Sequence, residues 1–233
     1  MSRLPVVLLL CLLYTFSAQA QQPRLVFAIE DFLWQEYNVY GDRILAESGL
    51  RYAFVYLPAT NTAIRYAQNR FYFGDVFYDG HLMDGSPYTA TTGYFGFGSE
   101  QAWLSASNGS GAEFVLGLDI WSRILDKNGS LGYVETYTVL YSRAGLRHQG
   151  NDWSSRVGIK LPWLVREVVE QSLFLAPSPE PSLYAEIAYQ RNRFHIGLYA
   201  DGYRFAASPP SGGYYQPTST MNTIGIRFSV SND

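Results

Sequence analysis

Between residues 112 and 125 the chain alternates with a period of two. Phe114, Leu116, Leu118 and Ile120 fall on one side, and Val115, Gly117, Asp119 and Trp121 on the other. Successive side chains of a strand point in opposite directions, so this segment predicts a strand with one apolar face and one face of small, charged and aromatic residues. The segment near the end repeats the pattern, with Ile224, Ile226, Phe228 and Val230 against Thr223, Gly225, Arg227 and Ser229. A sheet of many such strands has an edge to hide, and closing it into a barrel removes that edge.

Ten strands are expected, near residues 24 to 36, 45 to 57, 62 to 78, 89 to 104, 112 to 125, 131 to 147, 153 to 162, 182 to 190, 193 to 206 and 219 to 230. Eight remain if the weaker second and seventh belong to loops. Long connections follow the odd strands, around residues 39 to 42, 79 to 87, 126 to 130, 163 to 181 and 208 to 218. Short ones follow the even strands, at 58 to 61, 105 to 111, 148 to 152 and 191 to 192. This parity matches a transmembrane barrel, whose long loops lie outside the cell and whose short turns and termini face the periplasm. A two-residue turn at Arg191-Asn192 would set Gln190 opposite Arg193, Ile187 opposite Ile196, Ala185 opposite Leu198 and Ala188 opposite His195.

The first twenty residues read as an export signal. Arg3 is the positive charge, Val6 to Phe16 a short apolar run, and Ala18-Gln19-Ala20 a small-x-small cleavage pattern before Gln21. The lone cysteine, Cys11, lies inside that run, so cleavage removes every thiol. Residues 21 to 233 then form one barrel domain. The chain has 17 Lys and Arg, one of them Arg3, against 20 Asp and Glu, which leaves no basic footprint for nucleic acid. Aromatic and charged residues each make up 16%, a balance suited to a surface in lipid.

The signal sequence, the Tyr- and Phe-rich strands and the closing Ile224-Gly225-Ile226-Arg227-Phe228 resemble the small outer-membrane β-barrel proteins of Gram-negative bacteria. That resemblance implies an antiparallel up-and-down barrel in the cell outer membrane, with outer-membrane lipid and the barrel-assembly machinery as partners. Ile224, Ile226, Phe228 and Val230 are the candidate assembly signal. The family's final strand usually ends in an aromatic residue, whereas here Phe228 is followed by Val230 and a polar tail.

Asp119, Glu135, Arg143, Glu186, His195, Tyr199, Asp201 and Arg227 are the candidate lumen network, since buried charges must be paired. Gly117, Gly197 and Gly225 share that inward face and leave room for Tyr199 and Trp121, which predicts a filled lumen. Arg143, Arg147, Lys160 and Arg227 lining a narrow channel is one alternative. A hydrolase using Glu186 and His195 as diagonal neighbours is another, although barrel enzymes of this class carry catalytic groups at the outer rim and His195 adjoins a short turn. A third is a soluble, lipocalin-like periplasmic carrier with its apolar face inward. The expected function is structural or surface-binding, without enzyme activity, cofactor or metal, and with the long loops open to an extracellular ligand.

Four local features complete the reading. Leu164, Val165, Val168, Val169 and Leu173 recur at helical spacing before Pro177, Pro179 and Pro181, so residues 163 to 175 read either as a short amphipathic helix or as a continuation of strand seven. Asn108-Gly109 and Asn128-Gly129 predict turns rather than glycosylation sites. His81 with Asp79 and Asp84 lacks the fixed spacing of a metal site and reads as a solvated loop. The Tyr-bearing loop from Pro209 to Tyr215 reads as a flexible, adaptable surface.

Overall fold

The computed structural model describes residues 23–59, 65–81, 86–105, 109–125 and 132–230. The strands are β1 (Arg24–Tyr37), β2 (Arg43–Leu57), β3 (Arg65–His81), β4 (Pro87–Leu104), β5 (Gly109–Ile124), β6 (Val134–Gln149), β7 (Trp153–Val169), β8 (Leu173–Leu175), β9 (Ser178–Glu180), β10 (Ser182–Arg191), β11 (Phe194–Ala206) and β12 (Thr218–Val230). Each pairs antiparallel with its neighbours. The ring closes where Phe27 of β1 meets Phe228 of β12, and continues through β7, whose Lys160 faces Ser182 of β10.

Ten positions make up the wall, because β8, β9 and β10 are one descending strand broken by proline. Leu173 faces Val169 and Ser182 faces Lys160, so both ends keep the same register against β7. In between, Pro177, Pro179 and Pro181 have no N–H to give a ladder. There the chain pairs instead with β11, Ser178 opposite Ala206 and Glu180 opposite Arg204.

The alternation sorts the faces as the sequence predicts. Phe114, Leu116 and Ile120 on β5 and Ile224, Ile226, Phe228 and Val230 on β12 point outward, while Val115, Trp121 and Thr223 are buried. Phe71, Phe73, Phe95, Ile159, Ile187 and Leu198 continue the apolar exterior around the ring. An apolar belt outside a closed barrel suits hydrocarbon, which demands that every backbone polar group be satisfied within the ring. The lipocalin-like alternative is thereby overturned, because it requires the apolar face inside.

Tyrosines fill the interior by lying across glycines on adjoining strands. Tyr72 covers Gly96, Tyr141 covers Gly117 and Tyr199 covers Gly225, each pair directly opposite in the ladder. A Cβ at any of these glycines would enter the phenol ring. The narrow lumen thus gains its aromatic volume at positions where the facing strand has none.

Four expectations are corrected. The β10–β11 hairpin turns at Asn192-Arg193, with Gln190 opposite His195 and Ile187 opposite Leu198, one residue later than Arg191-Asn192. Asn192 takes φ of 53°, a left-handed conformation that asparagine adopts more readily than arginine. Moving the turn by one shifts every partner by two, which preserves the faces and changes the neighbours. Residues 163 to 175 contain no helix. They are the end of β7, a turn at Glu170 and Gln171, both at positive φ, and β8. The apparent helical spacing comes from apolar residues on both faces of the end of β7, Leu164 outward and Val165 inward, just after a bulge where Leu164 faces Leu140 and Pro162 faces Tyr141, leaving Trp163 as an extra residue. The expected long loop from 163 to 181 is for the same reason mostly strand. The segment from Ser208 to Gln216 is a tied hairpin rather than a loose loop: the Ser208 N–H donates to the Gln216 carbonyl, the Gln216 N–H donates to Ser208 Oγ, and Ser211 and Tyr214 exchange backbone bonds.

The export signal at 1 to 20, Asn108, the Asn128-Gly129 turn, Asp84 and the polar tail after Val230 lie outside the described residues. Gly109 opens β5 at φ of 74°, as a turn there requires.

Candidate functional site

The lumen is the polar and chemically distinctive part of the molecule, and it is layered along the barrel axis. Nearest the loops, Arg123 of β5 is wholly buried and reaches three strands. Its Nε donates to Glu47 Oε2 at 3.1 Å, and its Nη1 to Glu36 Oε1 at 3.1 Å and Glu135 Oε2 at 2.6 Å. Thr92 and Tyr94 donate to Glu47, while Trp34 and Gln216 donate to Glu36. Gln216 comes from the last loop, so that loop is fastened into the lumen by a side chain. Glu167 of β7 is also buried, with Oε2 unbonded. Just before β6, the Glu135 carboxylate and burial push the Tyr133 phenol above its ordinary value.

Below this layer lies an aromatic stack. The Trp121 and Tyr137 rings are 5.0 Å apart and nearly parallel, Tyr203 stacks on Trp121 at 5.5 Å, and Trp34 meets Tyr137 at 5.3 Å. Phe205 stacks on both Tyr137 and Tyr203. These rings arise from β1, β5, β6 and β11 and are each no more than 1% exposed. They cross the interior from several sides.

The middle of the barrel is ionic. Tyr72 and Tyr203 donate to the two oxygens of Asp119 at 2.9 and 3.1 Å. Glu30 accepts from Arg51, Arg70 and Tyr199. Arg143 pairs with Glu100 and Asp201, Lys160 donates to Asp201 at 2.9 Å, and the Lys160 ammonium sits 3.6 Å over the Tyr203 ring. Towards the turns, Glu186 takes Arg156 at 2.9 Å and also Arg227, while Arg156 meets Tyr66, itself bonded to Glu113. A cavity of about 60 Å³ remains among Arg70, Glu100, Arg143, Arg156, Glu186 and Arg227.

All eight residues of the expected network point inward, and seven are joined through these bonds. His195 stands apart. Its register partner is Gln190, whereas Glu186 faces Tyr199, so the proposed diagonal contact between Glu186 and His195 does not form. Glu186 is instead held by two guanidinium groups, which leaves it no imidazole to orient. Expected partners also differ: Asp119 is satisfied by tyrosines, and Glu135 by Arg123, a residue sequence reasoning did not single out. Glu30, Glu36, Glu47, Glu100, Glu113, Arg51, Arg70, Arg123 and Arg156 were likewise missed, although all sit on the inward phase of their strands. On the loop side, His81 Nδ1 lies 3.5 Å from the Ile44 carbonyl oxygen and is exposed.

A closed antiparallel barrel, apolar outside and polar within, is the architecture of an outer-membrane β-barrel protein. Known structures share it. The chain is similar to the outer membrane protease OmpT from Escherichia coli, at 8% identity and a TM-score of 0.56, covering 93% of this chain and 99% of that one. It is similar also to the COG4313 outer membrane channel from Pseudomonas putida F1, at 8% identity and a TM-score of 0.50, covering 93% and 99%. At such identities the likeness concerns the fold. No family model and no curated protein matches the chain.

Proposed function

We propose that this outer-membrane barrel is a non-conducting, non-enzymatic protein that serves as a rigid membrane scaffold presenting its loop end to the outside. The observation carrying this reading is the stack of Trp34, Trp121, Tyr137, Tyr203 and Phe205 across the loop half of the lumen, sealed by Arg123 and its carboxylates. A solute would have to displace rings packed at van der Waals distance and break charge pairs in a low-dielectric interior, a cost that a passage built for transport avoids. The wide network tying β1, β2, β5, β6 and the last loop together favours a fixed surface, and an extracellular ligand would meet that surface first. The outward row Ile224, Ile226, Phe228 and Val230 on β12 is the part offered to the barrel-assembly machinery.

Recording purified protein in planar bilayers tests the reading. No stepwise conductance is expected from the intact protein. Reproducible unit steps would overturn it and favour the narrow-channel alternative through Arg143, Arg147, Lys160 and Arg227.

A further inference from the structure

The outer wall of the turn half carries a groove that takes no part in the lumen network. It crosses β5, β6, β7, β10, β11 and β12 and encloses about 860 Å³. Its floor is low where two alanines meet. Ala185 of β10 is directly opposite Ala200 of β11, with Val157 of β7 beyond the first and Ile224 of β12 beyond the second. On the turn side Ile187 and Leu198, also opposite each other, stand out from the wall at about half exposure. Arg156, Glu186 and Tyr199 alternate with these outward residues and turn their side chains to the lumen, where they are already bonded. Neighbouring strands lie about 4.8 Å apart, so the groove extends roughly 24 Å around the barrel.

One end of the groove is polar. Ser110 of β5, His148 of β6 and Ser155 of β7 stand side by side in the ladder, all outward and exposed, and all three line the groove. Ser110 Oγ lies 3.0 Å from His148 Nδ1. In either tautomer of the imidazole this pair keeps one donor and one acceptor turned outward, and the Ser155 hydroxyl adds another of each. Each of the three residues is close to the turn end of its strand. Beside them Trp153 and Tyr189 face each other with ring centroids 4.8 Å apart, and such amphipathic rings mark the level of the membrane surface. The strands of a membrane barrel are tilted, so a row that crosses them climbs from that surface into the hydrocarbon. The groove is therefore amphipathic along its length, polar at the surface and apolar at depth.

We propose that this groove is the seat of one glycerophospholipid of the turn-side leaflet, with an acyl chain lying over Ala185 and Ala200 and the headgroup meeting Ser110, His148 and Ser155. A phospholipid is the occupant that matches both ends. The apolar floor opens onto hydrocarbon, and a headgroup with a phosphodiester and an ammonium offers acceptors and donors to a rim that presents both. The seat lies outside the lumen and does not depend on whether the barrel conducts.

Native mass spectrometry of the folded, full-length barrel in non-ionic detergent, titrated with phosphatidylethanolamine, tests the seat. One retained lipid per barrel, saturating with lipid concentration, is expected. The double variant Ser110→Ala/His148→Ala should weaken retention by about tenfold, through lost hydrogen bonds to a charged headgroup. Ala200→Phe, which fills the floor and leaves the rim intact, should weaken it to a similar degree. Phe95→Ala, on the exposed face of β4, should retain lipid as the unaltered protein does. Folding of every variant is checked by its mobility on a gel before boiling. Diacylglycerol, which has the chains without the phosphodiester, should be held about tenfold more weakly than phosphatidylethanolamine. Absence of a retained lipid, rim and floor variants that retain it undiminished, or diacylglycerol held equally well would overturn the proposal. A dimer in place of the lipid-bound monomer, dispersed by Ala200→Phe, would assign the face to a second copy of the chain and overturn it as well.

Discussion

Tyr141 lies across Gly117 on the neighbouring strand and donates its hydroxyl to Glu100 Oε1 at 2.6 Å. The contact joins two kinds of stabilisation, since the ring fills volume that glycine leaves empty and its hydroxyl satisfies a buried carboxylate that also receives Arg143. Gly117→Ala should therefore displace the ring and loosen the Glu100 pair together. Overpacking of this kind costs about 1–3 kcal/mol. A lowered urea midpoint for unfolding from detergent, followed by tryptophan fluorescence, is the expected outcome. An unchanged midpoint would mean that the ring is free to move aside.

Arg123 compensates carboxylates from three strands, so its loss leaves them facing one another. Arg123→Gln is expected to destabilise the barrel by about 3–5 kcal/mol near neutral pH, the usual penalty for breaking a buried ion pair. Neutralising one of the facing carboxylates as well, in Arg123→Gln/Glu135→Gln, removes part of that repulsion, so the double variant should recover part of the deficit. Urea unfolding of the parent, the single variant and the double variant measures it, and a double variant no more stable than Arg123→Gln would refute the role assigned to Arg123.

On the outer face, Leu116 stands in the apolar belt and Val115, its neighbour, points into the lumen. Leu116→Arg should cost about 2–4 kcal/mol if that position lies near the bilayer midplane. Folding yield into lipid vesicles measures it, and an arginine tolerated there without loss would contradict the placement of the belt.

The proline-broken strand makes one more expectation. Between Leu175 and Ser182 no ladder joins β7 to its neighbour on that side, although the register is the same above and below. Amide exchange at Trp163 and Leu164 should be faster than at Ile159 and Lys160 of the same strand, which are laddered on both sides. Uniform protection along β7 would mean that the break is closed in solution.

What was legible in the sequence was whatever depends on side-chain phase within one strand. β5 and β12 declare their faces by alternation, and the inward glycines follow from the same count. Legibility stopped where phase is broken or where partners come from distant strands. Beyond the bulge at Trp163, Leu164 faces outward and Val165 inward, and apolar residues on both faces produce spacings of three and four that resemble a helix. At the β10–β11 turn, both Arg191-Asn192 and Asn192-Arg193 keep Ile187 outward, so the faces could not choose between them, and the left-handed Asn192 decides the register. The Arg123 layer was hidden for a different reason. Glu36 lies 87 residues from Arg123 in the chain, and only closure of the ring brings them together.

Heat-modifiability of the protein in an outer-membrane fraction tests the account most directly. A closed, lipid-embedded barrel with this interior resists detergent, so the unboiled sample should run ahead of the boiled one on a gel. A protein released in soluble form, running identically before and after boiling, would contradict both the membrane placement and the tightly bonded lumen.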